Sequence, residues 1–298
     1  MAAVLAFGEV LFDCYPDKKI IGGAPFNVVA HLASLAASPL MITRIGEDED
    51  GQTVLEYANA LNLPIKGFQK DKVNPTGYAQ VVMTEAGHRF ELPFGQAWDY
   101  IDGQEAIHTL ANETPSIIYF GTLAQRHEVS RSALQMLLDA LPGVRFVDLN
   151  LRPPWWNEAI ITATLDATDW LKINDDELKI LQTLFNLPSI RTEAIFALKS
   201  LFSLAGVILT CGQEGAFCTE EDNLLHQPAH LATDLKDTVG CGDAFASVVI
   251  LGLLYQWPKE IMLSRASQFA GAIAAIYGAL PPAPSFYEFF HKGWNLNG

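Results

Sequence analysis

The sequence contains no Cys-x-x-Cys pair, no cluster of Lys or Arg, and no apolar run near the roughly 20 residues that span a membrane. Each absence removes a class. The four cysteines, Cys14, Cys211, Cys218 and Cys241, are scattered, so neither a zinc site nor a disulfide framework is expected and a reducing compartment fits. Lys and Arg number 19 against 34 Asp and Glu, a formal net charge of −15. Without a basic patch, nucleic acid is not an expected partner. The N-terminal apolar stretch has no basic region before it and is interrupted by Glu9, which argues against a signal peptide. The expectation is a cytoplasmic protein without membrane contact. Gly-Lys-Ser/Thr is missing, which excludes a Walker loop. His127-Glu128 has no second His at metalloprotease spacing, and Pro228 separates His226 from His230.

What is present is a chain of 298 residues, 50% apolar, long enough for a sizeable core. It is read as a single domain over 1–298. Strands are predicted at 4–12, 40–43, 116–120, 144–149, 169–173 and 206–210. Helices are predicted at about 128–140, 174–185, 191–204 and 260–277. Such alternation calls for a parallel sheet covered by helices. Two alternating runs, 77–84 and 88–94, form a hairpin that interrupts it. A second hairpin is expected over 216–227. Gly46 to Gly51 is acidic but lacks EF-hand spacing, and reads as a solvated turn and helix cap.

The most informative stretch is Asp237-Thr-Val-Gly-Cys-Gly-Asp-Ala-Phe245. Gly240, Cys241 and Gly242 precede an apolar run that reads as a buried helix. Glycines allow a tight turn and close approach of a ligand to the backbone. A helix start offers free N–H groups and partial positive charge, which suit a phosphate. Asp243, in the first turn, is the one group here able to accept a proton. A capped helix would explain the same residues, since Asp favours a first turn on dipole grounds alone. Other polar groups recur at strand ends: Asp13; Asp148, Asn150 and Arg152; Asn174 and Glu177; Thr210 and Gly212. Each alone is an ordinary turn or cap residue. Together they fall at the carboxyl edge of the expected sheet, where open α/β sheets bind ligands.

The 237–245 stretch resembles the D-T-x-G-A-G-D signature of the PfkB (ribokinase-like) carbohydrate kinases, departing from it at Cys241, where that family usually has Ala. Gly22-Gly23-Ala-Pro-Phe-Asn27 is similar to its first signature, with one extra residue before Ala30. Gly8 to Asp13 is similar to the fructokinase version of the first strand, and the Asp-x-Asn-x-Arg at 148–152 to the fructokinase and 2-keto-3-deoxygluconate kinase branch. The resemblance runs from Gly8 to about Pro281. It implies a three-layer αβα sandwich with a parallel central sheet and a small β-sheet lid, built from a hairpin at about 72–96 and a short segment at 14–22.

The resemblance also implies roles. Asp243 would be the catalytic base, and the backbone of Gly240, Cys241 and Gly242 the anion hole. Asp13, Gly22, Gly23, Asn27 and Arg152 would contact sugar. Asn174, Thr210, Gly212 and Gly242 would serve the nucleotide, with Mg²⁺ held through water near Glu177 and K⁺ near Asp237. A Gly-Ala pair at 278–279 matches the end of the adenine-pocket helix only weakly. The implied activity is ATP-dependent phosphorylation of a neutral ketohexose, fructose first. A 2-keto-3-deoxygluconate kinase is the alternative, with Arg89 as the cation for its carboxylate. A nucleoside kinase and a sugar-binding regulatory protein without turnover are further alternatives. The protein would be a monomer, or a homodimer through the lid. A thiol at a helix start is expected to be acidic if it is exposed, which would make Cys241 alkylatable unless ATP protects it.

Overall fold

A computed structural model describes residues 3–84, 87–232 and 234–296, without the side chains of 83, 84 and 87–90. The hairpin residues His88 and Arg89, including the cation of the keto-acid alternative, therefore have side chains outside the described residues. The chain divides into two compact units.

The first unit comprises residues 1–115, 124–142 and 282–298. Its strands are β1 Val4–Phe7, β2 Leu11–Cys14, β3 Lys19–Gly22, β4 Pro39–Gly46, β5 Phe68–Asp71, β6 Gly77–Thr84 and β7 Gly87–Glu91. β1, β4 and β5 run parallel side by side. β3, β2, β6 and β7 form a separate four-stranded sheet in that order. Every residue of β1 is buried, as a strand covered on both faces requires.

The expected single strand over 4–12 is two strands. The break falls at Gly8, whose φ of +147° suits glycine, and a Cβ there would stand 2.6 Å from Pro25 Cγ. The chain leaves β1 and enters the small sheet as β2. Asp13 consequently lies within a strand of the small sheet, and not at the carboxyl end of a central strand. In the 14–22 segment, β3 pairs antiparallel with β2, Asp13 opposite Ile20.

The acidic turn behaves as read from sequence. Asp48 caps the helix Glu49–Ala60 through Gly51 N, and its two oxygens also accept from Thr76 N and Thr76 Oγ1.

The second unit comprises residues 116–123 and 143–281. It holds β8 Ile117–Phe120, β9 Val144–Asp148, β10 Trp170–Asn174, β11 Gly206–Thr210, β12 Ala216–Glu220 and β13 Asn223–Gln227. β8 to β11 are parallel neighbours, and β12 and β13 extend the edge antiparallel. The helix Cys241–Leu254 is buried from Ala244 to Gly252, which its unbroken apolar run demands, and packs on Lys259–Ile273. That second helix stops before the expected 277. Ala274 O accepts from Lys236 N and Asp237 N, so the chain after it is committed to the loop that carries Asp237.

Candidate active site

The second unit gathers most of the polar residues singled out in the sequence. Asp148, Asn174 and Thr210 are the last residues of three adjacent parallel strands, and Asn174 pairs in register with Thr210. They occupy one carboxyl edge.

Asn174 caps the helix Asp175–Leu184. Its side chain accepts from Asp176 N at 3.0 Å and Glu177 N at 2.9 Å, while Glu177 Oε2 accepts from Asn174 N at 2.9 Å. This reciprocal pair is a capping box. Glu177 Oε1 accepts from Leu151 N at 2.8 Å, tying the loop after β9 to the same carboxylate. Glu177 is buried. Burial first and the nearby Asp148 second push its pKa up, while Lys172 and the two backbone N–H groups pull it back.

Thr210 donates to Ile173 O at 3.3 Å. Gly212 follows at φ +51° with open space where a Cβ would be, so the backbone there is approachable. Arg152 is exposed and forms no ion pair among the described residues.

Gly240 caps the helix Cys241–Leu254 at φ +77°, a left-handed conformation, and a methyl group on it would collide with Ala279. Both facts call for glycine. The turn is braced from Asp237, whose Oδ1 accepts from Val239 N and Oδ2 from Gly278 N, each at 3.0 Å. Gly242 is exposed and Asp243 half-buried.

Cys241 does not meet the condition for an acidic thiol, since it is half-buried. Its thiol pKa is pushed up to about 11, by burial first and then by the carboxylates of Asp237 and Asp243. These outweigh the helix start. Iodoacetamide should therefore label Cys241 poorly at pH 7.5 with or without ATP, and faster toward pH 11. Rapid labelling at neutral pH, read by mass spectrometry, would contradict this. Raised thiol pKa values mean that the native state holds its protons more tightly. The stability they contribute is full below pH 9 and is lost as pH rises through 11.

The structure also supplies a residue the sequence reading passed over. Lys172 sits inside β10 with its side chain 6% exposed, and its Nζ donates to Asp148 Oδ2 at 2.8 Å. Asp148 is thus engaged within the protein. The available signal was a lone Lys in the otherwise apolar Trp170-Leu171-Lys172-Ile173.

The first unit groups the other candidates. Gly22 ends β3, and a Cβ there would stand 3.4 Å from Asp13 Oδ2. Gly23, at φ +102°, is packed so closely that a Cβ would stand 2.7 Å from Glu9 O. It caps the helix Ala24–Ser34, and its carbonyl accepts from Asn27 N at 2.8 Å. Asn27 is buried. Asp13, Gly22, Gly23 and Asn27 are therefore one local cluster.

Residues 2–285 match the pfkB family of carbohydrate kinases, and the chain belongs to that family. Relatives of known name include fructokinase-2 of Zea mays, 25% identical over 95% of this chain and 91% of the other. Probable fructokinase-7 of Arabidopsis thaliana is 28% identical over 95% and 90%. Among solved structures, a fructokinase with bound ATP from Xylella fastidiosa has a TM-score of 0.83 at 17% identity, covering 99% of this chain and 100% of that one. The αβα fold with a parallel sheet and a small second sheet is thus the ribokinase-like fold expected from the sequence. Among the described residues no helix is long and apolar enough to cross a membrane.

Proposed function

We propose that the protein is an ATP-dependent sugar kinase acting on a neutral ketohexose, fructose first. The carrying observation is Asp243. It stands in the first turn of a helix entered through a glycine turn, in the unit whose sheet edge holds Asn174 and Thr210, with Glu177 in the helix that follows Asn174. In this reading Asp243 takes the proton of the sugar hydroxyl. The freed oxygen attacks the γ-phosphorus, the bond from that phosphorus to the β–γ bridging oxygen breaks, and ADP leaves. The backbone of Gly240, Cys241 and Gly242 receives the charge on the transferring group. Asn174, Thr210 and Gly212 serve the nucleotide. Asp13, Gly22, Gly23 and Asn27 bind the sugar, and Arg152 is assigned to the sugar or its phosphate. The Gly-Gly-Ala-Pro-x-Asn form of the 22–27 segment and the fructokinase names among relatives favour fructose.

The donor set suits Mg²⁺ only through water. Among the described residues no three His, Cys, Asp or Glu converge on a metal position, and both Glu177 oxygens already accept backbone N–H groups. A carboxylate keeps further lone pairs for an ordered water. Mg²⁺ bound with the nucleotide would neutralise phosphate charge. For K⁺, the loop braced by Asp237 supplies carboxylate and carbonyl oxygens. Activity should rise when K⁺ replaces tetramethylammonium at constant ionic strength. Indifference would remove K⁺ from the account.

The reading is tested by kcat/KM on fructose, tagatose, ribose, 2-keto-3-deoxygluconate and adenosine. Fructose should lead. A larger value for another member would keep the chemistry and overturn the sugar.

A further inference from the structure

Lys172 carries a charge that the reaction outlined above leaves unused. Burial alone would push its pKa down, but Asp148, Glu177 and Asp243 together hold it above its usual value. The 2.8 Å hydrogen bond to the Asp148 carboxylate and the charges around it favour the ammonium form. A Cβ added at Gly242 would stand 3.5 Å from Lys172 Nζ, so the ammonium lies against the first turn of the helix Cys241–Leu254.

Stability alone does not require a cation there, although Lys172 balances the carboxylates beside it. A helix start carries partial positive charge and disfavours a second one. A buried ion pair is commonly no better for the fold than apolar side chains of similar volume. The opposing charges nearby belong to Asp148, which is hydrogen-bonded to it, and to Glu177 and Asp243, which act on it through space. In a chain of net charge −15, an incoming polyphosphate meets an unfavourable field. One fixed ammonium beside the glycine turn offsets it where the charge has to be received.

We propose that Lys172 is a positioning residue for phosphoryl transfer: held by Asp148 against Gly242, it adds a fixed positive charge beside the backbone N–H groups of Gly240 to Gly242. This rests on the kinase reading above. Asp148 then serves as the holder of Lys172.

The test compares wild type, Lys172→Met and the double variant Lys172→Met/Asp148→Asn. The single variant leaves a buried carboxylate without its counter-ion and is expected to be destabilised. The double variant removes both charges and should unfold in urea near the wild-type midpoint. Its kcat should nevertheless fall about 10²-fold, the size seen when one donor to a developing anion is lost. Sugar KM and the ATP Kd from calorimetry should stay near wild type. Wild-type kcat in the double variant would overturn the proposal, because a structural pair is rescued by removing both members. An unfolded double variant would overturn it too, by making the pair structural. An equal rise in KM or Kd would assign Lys172 to ground-state binding instead, a third overturning result. A wild type inactive on every sugar, seen before any variant is made, would overturn the kinase reading and this proposal with it.

Discussion

Asp243→Asn should lower kcat by about 10²–10⁴-fold, the usual contribution of a positioned general base. The substitution keeps the size of the side chain and its place in the first helical turn. What it removes is the ability to take a proton. A first-turn carboxylate is worth only about 0.3–1 kcal/mol to a helix, so the variant should fold and unfold almost as wild type does. KM for the sugar should change little, because the base acts on the hydroxyl as it attacks and not on the bound ground state. The plain helix-cap reading of the same residue predicts the same small stability change but an unchanged kcat. Steady-state kinetics separates the two, with a urea titration to show that the variant is folded.

Asp99→Asn should cost about 3–5 kcal/mol of stability, the penalty for leaving one partner of a buried ion pair uncompensated. Asp99 and Arg126 are both inside the first unit, with side chains 0% and 1% exposed. The contact is bidentate: Nε to Oδ1 at 2.7 Å and Nη2 to Oδ2 at 2.8 Å. Arg126 also lies 4.0 Å from the centre of the Trp98 ring and donates from Nη2 to Pro93 O at 2.6 Å. Asp99 Oδ2 in turn accepts from Gly95 N and Gln96 N. One pair thus fixes the chain where it leaves β7 of the small sheet. An amide cannot balance the guanidinium, and water cannot reach it. Urea unfolding of the variant measures the loss. A fall below about 1 kcal/mol, typical of exposed pairs, would show that the pair is solvated in solution. Asp99→Leu with Arg126→Met should recover much of the loss, since no charge is then stranded.

The legible parts of the fold were those whose pattern is local. The helix Glu128–Ala140 and the strand Gly206–Thr210 fall at the predicted residues, because a capped amphipathic run and a short apolar strand announce themselves. The glycine turn before Cys241–Leu254 was equally visible. The position of Asp13 was not. An apolar run from 4 to 12 hides the break at Gly8, since both strands are buried and share composition. β5 is four residues, half of them charged, and takes its place only by pairing with β4. The helix Ser285–Trp294 lies past the prolines at 281, 282 and 284, where the reading stopped, yet Tyr287, Phe290 and Trp294 bury one face of it. In the site, capping and chemistry use the same residue types. Asn174 and Glu177 satisfy a capping box in full, so sequence alone could not assign them further. The state of Cys241 is not legible in the sequence, because a helix start is a local feature, whereas its burial and the carboxylates of Asp237 and Asp243 depend on how the turn folds.

The most direct test incubates the protein with ATP, Mg²⁺ and K⁺, with and without fructose, and follows ADP release and the mass of the sugar together. The account predicts ADP formed in step with a monophosphorylated sugar, and little ADP without the acceptor. Fructose bound but never phosphorylated, with no turnover on any other sugar tested, would contradict it and leave a sugar-binding regulatory protein on a kinase fold.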